Sequence, residues 1–203
     1  MIKTIIFDFG DVFINLDKEG ILYNALNIFG IDSFPAAMLK TNALYEMGLI
    51  TTDSFLKFYT NEFPHVSKKN MINLWNSILK DFPIHRLDFL NELSKQKDYK
   101  LILLSNTNTL HIDWIIEHVP FYEEFKNCFD AFYLSHEIHL RKPNRDIYEF
   151  VLNKNSIKPE ECLFIDDTAE NTDTAKSIGI HTWNINPKNE DVINLFTVNH
   201  HLF

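Results

Sequence analysis

The sequence contains a set of polar residues whose chemistry suits a bound metal ion together with a bound anion. Carboxylates act as nucleophiles or as ligands of hard cations, whereas hydroxyl and ammonium groups bind anions. Most of these residues directly follow short apolar runs of the chain. They are Asp8, Ser105, Lys142 and the adjacent pair Asp166 and Asp167. The combination is typical of a site that binds a metal ion and an anionic group side by side.

Each of these residues also has a simpler structural explanation. An aspartate after a strand commonly belongs to a turn, which would account for Asp8 taken alone. Asp166 and Asp167 could cap a following helix, but capping needs one carboxylate, and two adjacent ones repel each other unless a cation lies between them. A lysine such as Lys142 usually lies in solvent, although Pro143 fixes the backbone beside it. The pattern as a whole is therefore more informative than any single member.

The segment from Ser105 to Asn108 is predicted to open a helix and offers hydroxyl and amide groups there. Free N–H groups at a helix N-terminus bind anions, so Ser105 and Asn106 are candidates for substrate binding. A plain helix cap is the alternative. His111 follows on the same predicted helix and is expected either to reach the rim of the pocket or to pack in the ordinary way.

The apolar runs predict the elements that position these residues. Strands are expected at 2–7, 101–104, 131–134, 163–165 and 182–185, and helical spacing separates them. Alternating strands and helices favour an α/β fold, a parallel sheet with helices on both faces. In such a sheet, ligands bind at the carboxyl ends of the strands, where Asp8, Ser105 and Asp167 would converge.

The stretch from about residue 17 to residue 85 interrupts this alternation. It shows helical segments without a convincing strand, which indicates a helical module inserted after the first strand. We therefore expect an α/β core formed by residues 1–16 and 86–203, with a module at 17–85. The segment 45–48 of this module either meets the substrate or simply ends a helix at Gly48.

Composition excludes several classes of function. A formal net charge of −9 argues against a nucleic-acid-binding surface, which needs clustered Lys and Arg. No apolar run approaches the roughly 20 residues of a membrane span, and no secretion signal is evident, so we expect a cytoplasmic protein. The two cysteines have no metal-binding spacing and are expected in the core.

The order of these motifs resembles that of the haloacid dehalogenase superfamily over nearly the whole chain. The resemblance rests on the segment from Asp8 to Val12, on Ser105, on Lys142 followed by proline, and on the two acidic residues at 166 and 167. The segments 104–108, 133–135 and 141–143 are similar to one branch, which holds α-D-glucose-1-phosphate phosphatases and is related to the N-terminal phosphatase domain of epoxide hydrolases.

The resemblance implies a Rossmann-like, three-layer core with a small helical cap, and a role for each motif. Asp8 would attack phosphorus and form an aspartyl-phosphate, while Ser105 and Lys142 bind the transferred phosphoryl group. Mg²⁺ would be held by Asp8, by the main-chain carbonyl of Gly10 and by Asp167, with Asp166 as an outer or additional ligand. The expected partner is a small phosphorylated metabolite, for example a hexose 1-phosphate, and the expected assembly is a monomer or homodimer.

Gly10 is the one departure from the usual pattern, because most phosphatases of the superfamily have a second aspartate there as general acid and base. The glucose-1-phosphate phosphatase branch is similar in having glycine, but the proton donor is left without a firm candidate. Two alternatives follow: a metal-independent 2-haloacid dehalogenase, or a non-catalytic module that binds a phosphorylated ligand or a protein. The retained Asp167 favours a metal-dependent phosphatase.

Overall fold

A computed structural model describes all residues from Met1 to Phe203. Its centre is one five-stranded sheet in which every neighbouring pair is parallel. The strands are β1 (Thr4–Phe7), β2 (Lys100–Ser105), β3 (Ala131–Leu134), β4 (Cys162–Asp166) and β5 (His181–Asn184), in the spatial order β3-β2-β1-β4-β5. The predicted α/β class with a parallel sheet is confirmed.

The sheet is covered on both faces, which explains why its strands read as nearly continuous apolar runs. Alternate side chains of one strand enter different hydrophobic clusters, as Ile5 and Ile6 of β1 show. In β2, Leu103 belongs to the cluster of Ile5, and Ile102 belongs to the cluster of Ile6. Helices cover both clusters, which gives three layers.

Helices of the α/β core follow or connect the strands. They are α5 (Ile84–Gln96), α6 (Thr109–His118), α7 (Tyr122–Asn127), α8 (Ser135–Ile138), α9 (Arg145–Asn155), α10 (Ala169–Ser177) and α11 (Leu195–Val198), with short 3₁₀ turns at Pro159–Glu161 and Val192–Asn194. None of the helices has the length and hydrophobicity that crossing a bilayer requires.

Four helices between β1 and α5 form a separate bundle, which we call the helical module. They are α1 (Lys18–Phe29), α2 (Ala36–Glu46), α3 (Thr52–Glu62) and α4 (Lys68–Asn76). Asp17, Thr51 and Ser67 cap three of them by accepting main-chain hydrogen bonds. The module has its own hydrophobic cluster, in which Phe55 and Tyr59 are fully buried.

Two chain segments join the helical module to the core and pair with each other. Leu16 and Leu79 form an antiparallel bridge, and the main chain of Asn15 bonds to that of both Lys80 and Asp81. Helix α5 then begins at Ile84, and its buried leucines belong to the cluster under the sheet. Helix α5 therefore packs with the core and not with the helical module.

An aromatic cluster fixes the loop that follows Asp8. Phe9 stacks on Phe125 with ring centroids 4.9 Å apart, and Phe13 meets the same ring edge-on at 5.1 Å. Phe82 lies 5.1 Å from Phe125 and extends the cluster. Because these rings are buried under the loop, the main chain from Asp8 to Ile14 has little freedom to move.

Candidate active site

The carboxyl ends of three neighbouring strands bring the predicted site residues together. Asp8 directly follows β1, Ser105 is the last residue of β2, and Asp166 is the last residue of β4. Because β2 and β4 flank β1, side chains distant in sequence meet at one edge of the sheet. Carboxylate oxygens of Asp8, Asp166 and Asp167 all lie within 4.8 Å of one another.

Lys142 lies at the centre of this site and is only 1% exposed. Its Nζ is 2.8 Å from Oδ1 of Asp8 and 2.6 Å from Oδ2 of Asp166. Burial alone would lower the pKa of Lys142, but the carboxylates of Asp166 and Asp8 outweigh this effect and raise it. The lysine is therefore a permanent positive charge beside Asp8 and is not a solvated surface residue.

Asn106 determines where Lys142 lies. Its Oδ1 accepts a hydrogen bond from the main-chain N–H of Lys142 at 2.9 Å, and its Nδ2 donates to the main-chain carbonyl of the same residue at 2.8 Å. Both polar atoms of the Asn106 side chain are thus engaged with the protein. They join the end of β2 to the segment that contains Lys142. Substrate binding by Asn106 stays a prediction, since the contacts that the structure gives its side chain are those to the main chain of Lys142.

The segment around Ser105 differs from the sequence-based expectation. Ser105 itself ends a strand, and helix α6 starts at Thr109 with Asn108 as its N-cap, whose Oδ1 accepts from the N–H of His111. The four-residue segment is therefore a strand end followed by a short connection. Ser105 remains in a cavity beside Asp8, which it shares with Gly10 and Asn106.

Asp166 and Asp167 have different environments, which the sequence could not distinguish. Asp166 is fully buried, and its carboxylate accepts hydrogen bonds from Lys142, from the N–H of Thr168 and from the amide of Asn171. Asp167 is partly exposed, and Lys18 is its side-chain partner. Asp166 is therefore occupied in holding Lys142, and Asp167 is the better placed of the two to coordinate a metal ion.

Leu16 fills the space beside Gly10 that a longer side chain would need. A Cβ atom at Gly10 would lie 2.6 Å from Cδ1 of Leu16. Asp11 does not replace the missing second aspartate, since its carboxylate accepts from the N–H of Leu16 and pairs with Lys18 at 2.9 Å. Asp11 also lines a different cavity from the one that contains Asp8.

The donor set around Asp8 fits a hard divalent cation. Burial raises the pKa of the Asp8 carboxyl, and the charges of Asp166 and Asp167 add to this effect, while Lys142 opposes it. Clustered carboxylate oxygens are the ligands that Mg²⁺ prefers, and a cation at this place would relieve their repulsion. Gly10 lines the same cavity as Asp8, so its carbonyl stays the predicted third ligand.

A second ion pair, which is partly exposed, lies on the side of the cavity that faces the helical module. Oε2 of Glu46, the last residue of α2, is 3.1 Å from Nε and 3.0 Å from Nη2 of Arg141. Both residues line the cavity of about 290 Å³ that contains Asp8 and Lys142. Burial raises the pKa of Glu46, and Arg141 opposes that shift.

Two side chains of the core hold the end of α2 by bonding to its main-chain carbonyl groups. Ser135 donates from Oγ to the carbonyl of Glu46 at 2.6 Å, and the ring of His139 bonds to the carbonyl of Met47 at 2.8 Å. Gly48 follows with φ of +63°, and a Cβ there would lie 2.0 Å from the carbonyl oxygen of His136. Gly48 thus ends the helix and also permits a close approach to the core.

Replacing Gly48 with alanine is expected to lower both stability and activity. The positive φ alone disfavours alanine by about 1–2 kcal/mol, and the contact with His136 would in addition push α2 away from the core. Gly30 is a matched control, since its φ is +65° and a Cβ added there would meet nothing within 4 Å. Urea unfolding and initial rates of both variants measure the two effects.

A comparable loss of activity in Gly30→Ala and Gly48→Ala would contradict this prediction. It would mean that backbone strain alone lowers the rate and that the contact between α2 and the core has no separate effect. We expect Gly30→Ala to lose stability only, because Gly30 does not line the cavity that contains Asp8 and a Cβ atom there would meet no other group.

His111 lines two cavities but has no free ring nitrogen. Its Nε2 is 3.1 Å from the carbonyl oxygen of Trp75, and its Nδ1 is 3.2 Å from the side-chain amide of Asn108. Burial lowers the pKa of His111 to about 4. The neutral ring therefore donates to Trp75 and accepts from Asn108, which links α6 to the helical module.

Sequence reasoning missed the residues that act through contacts between distant segments. Neither the pair of Glu46 and Arg141 nor the role of Asn171 follows from local spacing. Lys18, at the start of α1, bonds to both Asp11 and Asp167. The sequence carried one signal for the pair of Glu46 and Arg141. Arg141 directly precedes Lys142, so a second cation is expected at the carboxyl edge of the sheet.

Comparisons with known proteins agree with the geometry. A D-ribitol-5-phosphate phosphatase of Bacteroides thetaiotaomicron is 27% identical over 191 residues, which are 90% of this chain and 91% of that protein. A haloacid dehalogenase family enzyme of the same species, solved with magnesium and inorganic phosphate, is 33% identical with a TM-score of 0.80, over 97% of this chain and 100% of that chain.

A hydrolase of Porphyromonas gingivalis, described as HAD-like, is 28% identical with a TM-score of 0.83, over 98% of this chain and 97% of that one. The family model for haloacid dehalogenase-like hydrolases matches residues 5–185 and so spans β1 to β5, with all of the site residues described above. The chain therefore belongs to the haloacid dehalogenase-like hydrolase family.

Proposed function

We propose that the protein is a magnesium-dependent phosphatase that hydrolyses a small phosphomonoester of a sugar or sugar alcohol. The observation that supports this most directly is the buried Lys142, which lies 2.8 Å from Asp8 at the carboxyl edge of the sheet. A lysine in this place neutralises a phosphoryl group while keeping the adjacent carboxylate ionised and nucleophilic. The phosphatase of known substrate and the magnesium- and phosphate-bound relative support the same assignment.

The proposed reaction has two steps, both at Asp8. In the first, a carboxylate oxygen of Asp8 forms a bond to phosphorus while the bond to the leaving alcohol oxygen breaks, and that oxygen takes up a proton from solvent water. In the second, a water oxygen attacks phosphorus and gives up a proton to solvent, the bond to Asp8 breaks, and inorganic phosphate leaves. Ser105 and Lys142 bind the equatorial oxygens during both steps.

Asp8, Asp167 and the carbonyl of Gly10 are proposed to hold the Mg²⁺ ion. Bound there, the ion would offset negative charge on the phosphoryl oxygens. Asp166 is proposed to act through Lys142, since all its near partners are protein groups. The helical module at residues 17–85 is proposed as a cap that covers the site and excludes water.

The substrate is proposed to be a sugar or polyol phosphate, with a hexose 1-phosphate as one candidate. The related D-ribitol-5-phosphate phosphatase supports a linear polyol phosphate as a second candidate within the same class. A screen of sugar phosphates, polyol phosphates and nucleotides in the presence of Mg²⁺ decides between them. Halide release from a 2-haloacid in the presence of EDTA, without any phosphate release, would overturn the proposal.

Removing the metal is expected to abolish turnover and lower stability. Mg²⁺ at 100 times its dissociation constant would stabilise the folded protein by about 2.7 kcal/mol, because it relieves repulsion among carboxylates that are packed together. Thermal unfolding with Mg²⁺ and with EDTA measures this shift without substrate. The variant Asp167→Asn should lose most of the stabilisation by Mg²⁺. A Mg²⁺-induced shift in that variant as large as in the wild type would contradict the assignment of Asp167 as a ligand.

A further inference from the structure

Glu46 lies where three cavities meet. One cavity contains Asp8 and Lys142, a second of about 130 Å³ contains Ser105, and a third of about 220 Å³ is largely apolar. Glu46 lines all three of them. The walls of the apolar cavity are Ile21, Ala25, Phe29, Leu74, Trp75 and Ile78. A leaving group extending from a phosphoryl group at Asp8 towards the helical module must therefore pass this carboxylate.

Only one of the two carboxylate oxygens of Glu46 has a hydrogen-bond partner in the protein. Its Oε2 receives both hydrogen bonds from Arg141, at 3.1 and 3.0 Å, whereas its Oε1 has no partner in the protein. The guanidinium holds the carboxylate in one orientation and keeps it charged. Because the Glu46 side chain is 28% exposed, its Oε1 is accessible and can accept a hydrogen bond from a ligand that displaces water from it.

Three other acceptors on this side of the cavities are engaged within the protein, and the Nε1–H of Trp75, which is a donor, has no partner. Both ring nitrogens of His111 are bonded, and Asn106 is joined to Lys142 through both of its polar atoms. Oδ1 of Asn42 accepts from Tyr59 at 2.6 Å. Oε1 of Glu46 is thus the charged acceptor that remains for the leaving group.

We propose that Glu46, oriented by Arg141, is the specificity-determining residue of the site and accepts a hydrogen bond from a hydroxyl group of the substrate's leaving group. This rests on the proposed phosphatase function and deepens it. The substrate class is a phosphomonoester with a hydroxyl on the carbon chain near the ester, as in a polyol phosphate. A second anionic group at that place would be repelled by Glu46.

Three phosphate esters separate this role from others. sn-Glycerol 3-phosphate has a hydroxyl beside the ester carbon, n-propyl phosphate has the same chain length without it, and p-nitrophenyl phosphate has a good leaving group without it. In Glu46→Met, kcat/KM for glycerol phosphate should fall about 10–100-fold, the usual effect of losing a hydrogen bond to a charged group. The other two esters should change by less than about threefold.

Glu46→Gln tests the same contact with little change of shape. Its carbonyl would face Arg141 and its amide would face the substrate, so a neutral hydrogen bond replaces a charged one and the loss should be smaller than in Glu46→Met. Glu149→Gln is the control, since Glu149 forms a comparable but exposed pair with Arg145 at 2.7 Å on α9. It should leave all three rates unchanged.

Two outcomes would overturn the inference. Equal losses for glycerol phosphate and propyl phosphate, with p-nitrophenyl phosphate unaffected, would mean that Glu46 protonates the ester oxygen and does not recognise a hydroxyl group. No selective loss in either variant would mean that Glu46 does not contact the leaving group. Failure of the wild-type protein to hydrolyse these esters and the sugar and polyol phosphates of the screen with Mg²⁺ would instead refute the proposed function.

Discussion

Asp8→Asn should give a folded protein that releases no phosphate, with a loss of about 10⁴-fold or more in kcat. The amide cannot form the bond to phosphorus, and no other carboxylate replaces it, because Asp166 is bonded to Lys142 and Asn171, and Asp167 lies at the outer side of the site. Phosphate release over hours at high enzyme concentration measures the residual rate.

The same substitution should leave stability intact or raise it slightly. Asp8 is buried among like charges, which raises its pKa, and asparagine removes that repulsion while Lys142 keeps its pair with Asp166. Asp88→Asn on the exposed face of α5 is the control and should retain full activity. Wild-type turnover in Asp8→Asn would refute the nucleophile assignment, and an unfolded variant would refute the account of its packing.

Lys142→Met should lower activity and stability together. The ammonium group is 1% exposed and pairs with two carboxylates, so its loss leaves Asp8 and the fully buried Asp166 without a counter-charge. Removing one partner of a buried ion pair typically destabilises a protein by about 3–5 kcal/mol. Urea unfolding and phosphate release measure the two losses separately.

A double variant distinguishes the structural and the chemical role of this lysine. Lys142→Met combined with Asp166→Asn removes both charges of the buried pair, so much of the lost stability should return, as it does when buried pairs are replaced as a whole. Activity should not return, since no cation then faces the phosphoryl group. Recovery of activity in the double variant would show that Lys142 acts only by holding the fold.

The residues at the ends of the strands could be placed from the sequence, because their positions depend on the order of the strands in the sheet. Asp8, Ser105 and Asp166 each end or follow a parallel strand, and such strand ends share one edge of a sheet. Apolar runs and their termini are local features that a sequence displays directly. The convergence of these residues at one edge of the sheet could therefore be predicted from periodicity and spacing.

Contacts between side chains of distant segments were not predictable in this way. Whether the Asn106 side chain faces the substrate or the main chain of Lys142 depends on how two loops pack, and this leaves no trace in spacing. The same is true of the pair between Glu46 and Arg141, which joins the helical module to the core. The helix predicted to open at Ser105 begins at Thr109 because the strand continues through Ser105.

The network around Lys142 has a consequence for how this enzyme can change during evolution. Three chain segments, at 106, 142 and 166–171, meet through Asn106, Lys142, Asp166 and Asn171, so a substitution at any one of them removes hydrogen bonds from a buried polar group. Such positions are strongly epistatic, and drift there requires simultaneous changes. Glu46 has a single side-chain partner. New substrate preferences should therefore arise by mutation at the end of α2, while the residues of the network around Lys142 stay unchanged.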